Sequence, residues 1–370
     1  MTSTLPFLSV IVPAHRAEFL LPDTLGALAN SDLPRDRWEL VVIDDASPDR
    51  TALVASRFAD TVVRLSGAPH GPSYARNRGC EASRGEVLVF VDADVRVHPD
   101  ALRRFAELFA ADPDLGAAFG SYDDRPPAPG IVSRYRNLLH HYHHHQGAGE
   151  AGTFWAGLGA IRTDVFAEVD KYDEWHYERP QIEDIELGRR IRRAGYRILL
   201  EPSIQGAHLK RWTLQDVLRT DLFHRGIPWM RLILREGAGD DLLNVKVKEK
   251  SCVALLGLAI ILLLGGIVTG SVLALSAVPG LLAVIVALNL PLYRYLARGR
   301  GWAFGLAVVP LHLMYYLVSG LAAVFGHLHH LAGTKPRPSD RTLERTERGE
   351  VCWPPVPVPP RTSIWRDESL

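Results

Sequence analysis

Apolar and polar positions follow two regimes along the chain. Up to about residue 210, short apolar runs alternate with segments of helical period. The runs at 7–12, 40–43, 61–65 and 87–91 have the length of buried strands. Segments 17–30, 51–59 and 71–84 between them carry helical spacing, with Pro22 near the start of the first and Gly85 closing the third. Strands alternating with helices predict a mostly parallel sheet covered on both faces. Further on, 100–111, 134–145 and 181–194 read as helices and 117–121 and 196–200 as strands, with a Pro-rich loop at 123–130. The stretch 212–234 is amphipathic and holds Trp212, Phe223, Trp229 and Met230, with Pro228 interrupting it. That composition suits a helix at a membrane surface and equally a buried helix of the globular part.

The second regime begins at Cys252. Residues 252–275 contain no charge and exceed the roughly 20 residues needed to cross hydrocarbon. Two more apolar segments come at 281–296 and 302–325, separated by Arg298-Gly299-Arg300. Four regions result: a globular domain at 1–235, a basic juxtamembrane linker at 236–250, two to three transmembrane helices within 251–327, and a disordered Pro-rich, charged tail at 328–370. Lys246, Lys248 and Lys250 precede the first span, and Arg298 and Arg300 come after the second. The excess of basic residues on the inner side of membranes then places the N-terminal domain in the cytoplasm of a multi-pass cell-membrane protein. Three full spans would send the tail outside, against its Lys335, Arg337, Arg341, Arg345 and Arg348.

Composition narrows this only a little. Lys and Arg number 42, as do Asp and Glu, so no overall field recruits nucleic acid. Cys80, Cys252 and Cys352 lie far apart, without metal-ligand spacing, which fits a reducing compartment. No basic stretch with a long apolar core after it opens the chain, so a cleavable signal is not expected.

The candidate chemistry gathers where strands stop. Run 87–91 ends in Asp92-Ala93-Asp94, and strand alternation would aim both carboxylates the same way. At the rim of an open α/β sheet, two hard oxygen donors suit Mg2+ or Mn2+ holding phosphates. The second run ends in Asp44-Asp45, and Gly71 to Gly79 opens a helix carrying Arg76. Residues 153–160 combine Phe154 and Trp155 with Gly157 and Gly159, permitting close approach of backbone to a ligand or simply tight packing. Glu183-Asp184 sits in the first turn of a helix, an ordinary place for acids. His140, His141, His143, His144 and His145 cannot all face one ion, and read as a helix face or loop near an acceptor.

Taken together, 10–14, 42–47, 71–79, 91–94, 154–160, 182–187 and His208 resemble, in order and spacing, a family 2 glycosyltransferase with a GT-A fold. The resemblance covers roughly residues 5 to 235. It implies a Rossmann-like mixed, mostly parallel sheet, with a small helical transmembrane region after it. It also implies a nucleotide-sugar donor, with Pro13, Ala14, Asp44 and Asp45 around the nucleotide and Arg76 near it. Asp94 would bind the metal directly, Asp92 would hold ribose or metal, and His208 would complete the metal shell. Inverting transfer would use Asp184 as base, in preference to Glu183, the first acid of the pair. Trp155, Gly157, Arg211 and Trp212 would lie on the acceptor side. Processive synthases of the cellulose or hyaluronan type carry Gln-x-x-Arg-Trp, whereas here the place reads His208-Leu209-Lys210-Arg211-Trp212. Transfer of single sugars to a lipid-linked or other membrane-associated acceptor is therefore expected, with processive synthesis as the alternative. A non-catalytic nucleotide-binding membrane protein is the alternative of another class. Nucleotidyl transfer would need a Gly-rich basic loop after the first strand, where Pro13-Ala14-His15-Arg16 stands instead.

Overall fold

The computed structural model describes residues 5–177, 179–236 and 247–333. The chain opens with β1 (Leu8–Ala14), α1 (Leu21–Ala29), β2 (Trp38–Asp44), α2 (Thr51–Ala55), β3 (Thr61–Arg64), α3 (Pro72–Glu81) and β4 (Val87–Val91). It continues through β5 (Val95–Val97), α4 (Ala101–Ala111), β6 (Leu115–Tyr122), α5 (Ile131–Gln146), β7 (Gly149–Glu150) and β8 (Leu158–Arg162). After α6 (Thr163–Glu168), α7 (Glu183–Arg193) and the long β9 (Arg197–His208), the rest is helical.

Residues 5–127 and 147–210 form one compact unit, and 128–146 with 211–333 form a second. Helix α5 and the residues after 210 group with the second unit. In that unit the strands take the order β3-β2-β1-β4-β8-β6-β9-β5, with β7 on β9. The β3-β2-β1-β4 half is parallel throughout. Beyond it, β8 runs antiparallel to both β4 and β6, whereas β6 and β9 are parallel. The sheet is mixed, as the family resemblance implied. β1, β2 and β4 are buried almost end to end, because a parallel sheet is covered on both faces. Leu8, Val10, Val12, Leu40, Val42, Val89 and Val91 pack with Leu21, Leu25 and Leu28 of α1 and Phe105 of α4 in one core. On the other face α3 lies close to β1 and β2. A Cβ on Gly79 would come within 2.5 Å of Ile11 Cγ2 and 2.6 Å of Ile43 Cδ1, so glycine there sets the approach.

The second unit holds α5, α8 (Leu214–Arg219), a π-helical segment at Thr220–Gly226, α9 (Ile227–Glu236) and α10 (Val247–Thr269). It continues with α11 (Val272–Leu288), α12 (Leu290–Ala297), α13 (Trp302–Ala307) and α14 (Val309–Leu331). Among the described residues two helices are long and apolar enough to cross a membrane, Val247–Thr269 and the α13–α14 run Trp302–Leu331. The α11–α12 pair would be a third if it were one span, but it bends by 62°. Asn289 sits at that break. The parts of the basic linker at 237–246 and of the tail from 334 lie outside the described residues, so their expected character is untouched here.

Candidate active site

The parallel strands β1, β2 and β4 stop side by side, and the segments that leave their ends build the site. Ala14 pairs with Asp44, and the Asp45 N–H donates to Ala14 O at 2.8 Å. Just beyond, Arg16 and Ala46 both hold left-handed backbone, each with φ of 52°. Strain of this kind persists only where neighbours impose it. Here Arg16 N–H donates to Ser47 Oγ at 3.0 Å and Ala17 N–H to Thr51 Oγ1 at 2.8 Å.

The two acids of β2 have different surroundings. The Asp45 carboxylate accepts from His70 N–H and Gly71 N–H, both at 2.8 Å, and from the His70 ring at 3.2 Å. It therefore ties the loop before α3 to the strand end. Asp44 is fully buried and accepts from Ser47 N–H at 3.1 Å through Oδ1. Its Oδ2 faces Arg64 Nε at 3.5 Å, too poorly aligned for a hydrogen bond, and is left as an open acceptor. A buried acceptor without a donor costs about 1–3 kcal/mol, which a ligand N–H or O–H would recover.

Past β4 the alternation argument fails, because the strand ends at Val91 and Asp92-Ala93-Asp94 form a turn closed by Val95 N–H on Asp92 O. The turn is pinned by Thr24 Oγ1–H on Ala93 O at 2.9 Å and Leu209 N–H on Asp94 O at 2.8 Å. The carboxylates have separate partners. Asp92 Oδ1 accepts from Arg76 at 2.8 Å, while Asp94 Oδ2 faces His208 Nε2 at 3.4 Å. Burial would raise the Asp94 pKa, but hydrogen bonding to His208 and the charges of His208 and Lys210 hold it below the ordinary value.

Arg76 links two parts of the site. Its side chain is nearly buried, and its other arm donates to Glu183 Oε1 at 3.3 Å. Burial works against the guanidinium charge, but Asp92 and Glu183 outweigh it and raise the pKa. Arg76, expected near the nucleotide, joins the turn after β4 to the start of α7. Glu183 is itself buried and accepts from Gln181 N–H at 2.8 Å, so it is occupied in this bridge. Asp184, next in the first turn of α7, is half-buried and lies against the 154–157 segment, with Ala156 N–H 3.4 Å from Oδ2.

Trp155 stands edge-on to Tyr122 with centroids 4.8 Å apart, and Tyr122 lies flat on the His208 ring at 4.4 Å. Tyr122 is not among the residues that the sequence singles out; a single tyrosine at a strand end carries no signal of its own. Gly157 makes room for this group, since a Cβ there would lie 2.4 Å from the Trp155 indole. Gly157→Ala should therefore displace the indole and cost about 1–3 kcal/mol. A lower thermal midpoint of the solubilised chain, largely recovered when Trp155→Leu is added, is the expected result; an unchanged midpoint in the single variant would refute it.

Arg211 and Trp212 fall in the second unit. There Trp212 is buried, its N–H donating to Ser133 Oγ of α5 at 2.7 Å and its ring facing the Arg136 guanidinium. The histidines of α5 stack at helical spacing, His140 on His144 at 3.9 Å and His141 on His145 at 3.7 Å.

A divalent ion fits the first unit at Asp94 and His208. Among the described residues no three His, Cys, Asp or Glu side chains gather as a cage. Ions of the Mg2+ type instead take one or two protein ligands and complete the shell with phosphate and water. Neighbouring ligands of an octahedral ion with bonds of about 2.1 Å lie roughly 3 Å apart. The 3.4 Å between Asp94 Oδ2 and His208 Nε2 is near that spacing.

The sheet topology, with acids at its strand ends, is that of the GT-A fold. Residues 9–170 match the family model described as glycosyl transferase family 2. Among curated relatives, the chain is 28% identical over 211 residues to the probable glycosyltransferase YdaM of Bacillus subtilis, covering 54% of this chain and 50% of that protein. It is 34% identical over 108 residues to the glycosyltransferase AglE of Haloferax volcanii, covering 28% of this chain and 36% of that one. The chain thus spans half or less of the length of these relatives. The mannosyltransferase PcManGT of Pyrobaculum calidifontis, solved with GDP-Man and Mn2+, shares the fold with a TM-score of 0.59 at 21% identity. That match covers 86% of this chain and 88% of the other.

Proposed function

We propose that the protein is a membrane-anchored, metal-dependent, inverting glycosyltransferase, moving one sugar from a nucleotide-sugar donor to a lipid-linked or other membrane-associated acceptor. The observation that carries the reading is the Arg76 bridge, which holds Asp92 and Glu183 together and so brings Asp184 to the strand-end acids. The open Oδ2 of Asp44, beside Pro13 and Ala14, suits a base N–H or a ribose hydroxyl. Asp92 keeps about a third of its side chain exposed and can accept from ribose on its free side. Asp94 and His208 would hold Mg2+ or Mn2+, which supplies positive charge beside the departing diphosphate.

Asp184 is the base in this reading. Its carboxylate takes the proton of the acceptor hydroxyl as that oxygen forms a bond to the sugar C1 and the C1–O bond to the diphosphate breaks. Glu183 is unsuited to the role because its carboxylate is buried and paired with the Arg76 guanidinium, whereas Asp184 is half-buried and accepts from the backbone N–H groups of Ile185 and Ala156. Trp155, edge-on to Tyr122, offers an apolar face to an acceptor sugar. Apolar α10 and the basic Lys248, Lys250, Arg298 and Arg300 around the helices support a cell-membrane location with the N-terminal domain in the cytoplasm.

Membranes holding the full chain, incubated with lipid extract and a panel of radiolabelled sugar nucleotides, should label an organic-soluble product with one donor. Chelation should abolish the labelling and Mn2+ restore it. Label in a polymer that grows with time would favour processive synthesis, and donor binding without any product would favour a non-catalytic binder.

A further inference from the structure

By length and composition both α10 and the α13–α14 run could cross a membrane. The contacts that α14 makes distinguish them. Tyr316 packs with Cys252 in the first turns of α10 and donates to Asn289 Oδ1 at the end of α11, at 3.0 Å. One turn further along α14, a Cβ on Gly320 would meet Val253, still in the first turns of α10. By Gly326 the neighbour is no longer α10 but Met230 and Ile227 of α9, and Ala322 lies against Gly226. At its other end His312 bonds the Tyr293 hydroxyl of α12 at 3.0 Å. A helix parallel to α10 would move up α10 as it moved along itself. This one advances from 312 to 326, about 21 Å at 1.5 Å per residue, while the α10 residues it meets at Tyr316 and Gly320 are Cys252 and Val253, within two turns of the start of α10.

The outer part of α10 carries a run of exposed apolar side chains. Leu258, Ile261, Leu263, Leu264, Ile267 and Val268 are exposed, as are Val272 and Leu273 at the start of α11. There α10 meets its hairpin partner, as where Gly266 faces Leu275 and Ala274. From Ser251 to Tyr293 the hairpin and its turn contain no Asp, Glu, Lys or Arg. From Ser251 to Thr269 and from Val272 to Leu288 its arms are each roughly 25–29 Å long at 1.5 Å per residue, about the hydrocarbon thickness. On α14 the exposed apolar residues Leu317, Leu321, Val324, Phe325, Leu328 and Leu331 recur at helical spacing as one stripe.

We propose that only the α10–α11 hairpin crosses the bilayer, and that α14 lies in the plane of the membrane with its Leu317–Leu331 stripe in the acyl region. This rests on the membrane location proposed under the function and adds a topology to it. Residues after Gly333 then leave on the side where α10 enters. Three basic groups share that side: Lys246 to Lys250, Arg294 to Arg300, and Lys335 to Arg348. With α14 as a full span the last group would be stranded on the far side, against the positive-inside bias. The 62° bend at Asn289 has a matching role, turning α12 out of the hairpin and into the surface layer.

The full chain with short epitope tags at Met1, in the Thr269–Ser271 turn and after Leu370 tests this by protease digestion of spheroplasts and of inverted vesicles. The first and last tags should survive in spheroplasts and disappear in inverted vesicles, and the turn tag should do the opposite. Loss of the last tag from spheroplasts while the first survives would overturn the in-plane placement. Release of the whole chain by alkaline carbonate would instead overturn the membrane location on which it rests. If a tag in the turn blocks accumulation, Ser271→Cys in a Cys352→Ala chain, labelled by an impermeant maleimide, gives the same readout.

Discussion

Asp184→Asn should bind the nucleotide sugar about as well as the unaltered chain and lose transfer by 10²–10⁴-fold, the usual contribution of a positioned general base. The amide keeps the shape and, through its one oxygen, the 2.8 Å contact with Ile185 N–H, giving up the longer 3.4 Å contact with Ala156 N–H, and it cannot take a proton. Because α7 begins at Glu183, the substitution leaves the core of the sheet untouched. Donor affinity measured by calorimetry, beside single-turnover transfer, separates the two effects. Near-normal turnover would remove Asp184 from the reaction. The neighbouring Glu183→Gln should differ in kind, weakening the Arg76 bridge and with it the stability of the chain.

The second large effect is expected at Arg76. Arg76→Met removes the charge between Asp92 and Glu183 and leaves a buried carboxylate without its partner. Breaking a buried pair in this way costs about 3–5 kcal/mol, and the partial exposure of Asp92 places this case near the lower end. Arg76→Lys keeps the charge, yet one ammonium cannot serve two carboxylates in the geometry of a guanidinium, so transfer should still fall. In thermal unfolding of the solubilised chain, Arg76→Met with Glu183→Gln should be less damaged than the sum of the single changes. Strict additivity would mean that the bridge carries no coupling.

How much of the fold and site is legible in the sequence depends on the range of the interactions. β1, β2 and β4 are visible because strands buried on both faces must be continuously apolar, and the helices between them show their own period. Asp92, Asp94 and Asp184 stand out because each marks the end or start of such an element. The use of Arg76 is invisible to local pattern, since its partner Glu183 lies 107 residues away. Nor does local pattern show that Asp45 is engaged by His70 and Gly71, or that Tyr122 stacks on His208. Hydropathy alone treats α10 and α14 alike, because it counts apolar residues without regard to the direction in which a helix runs.

The sheet has one further consequence, for inheritance. β4 pairs in parallel with β1 on one side and antiparallel with β8 on the other. The strands bearing Ala14 and Asp44 and the strands bearing Tyr122 and His208 are therefore joined across a single ladder, Val87–Val91 against Arg162–Leu158. Under the proposed function, the segment before β8, which holds Trp155, can be remodelled without re-registering the strands assigned to the donor. Drift in the two halves is yoked chiefly where a side chain reaches across the join, and Arg76 is such a yoke.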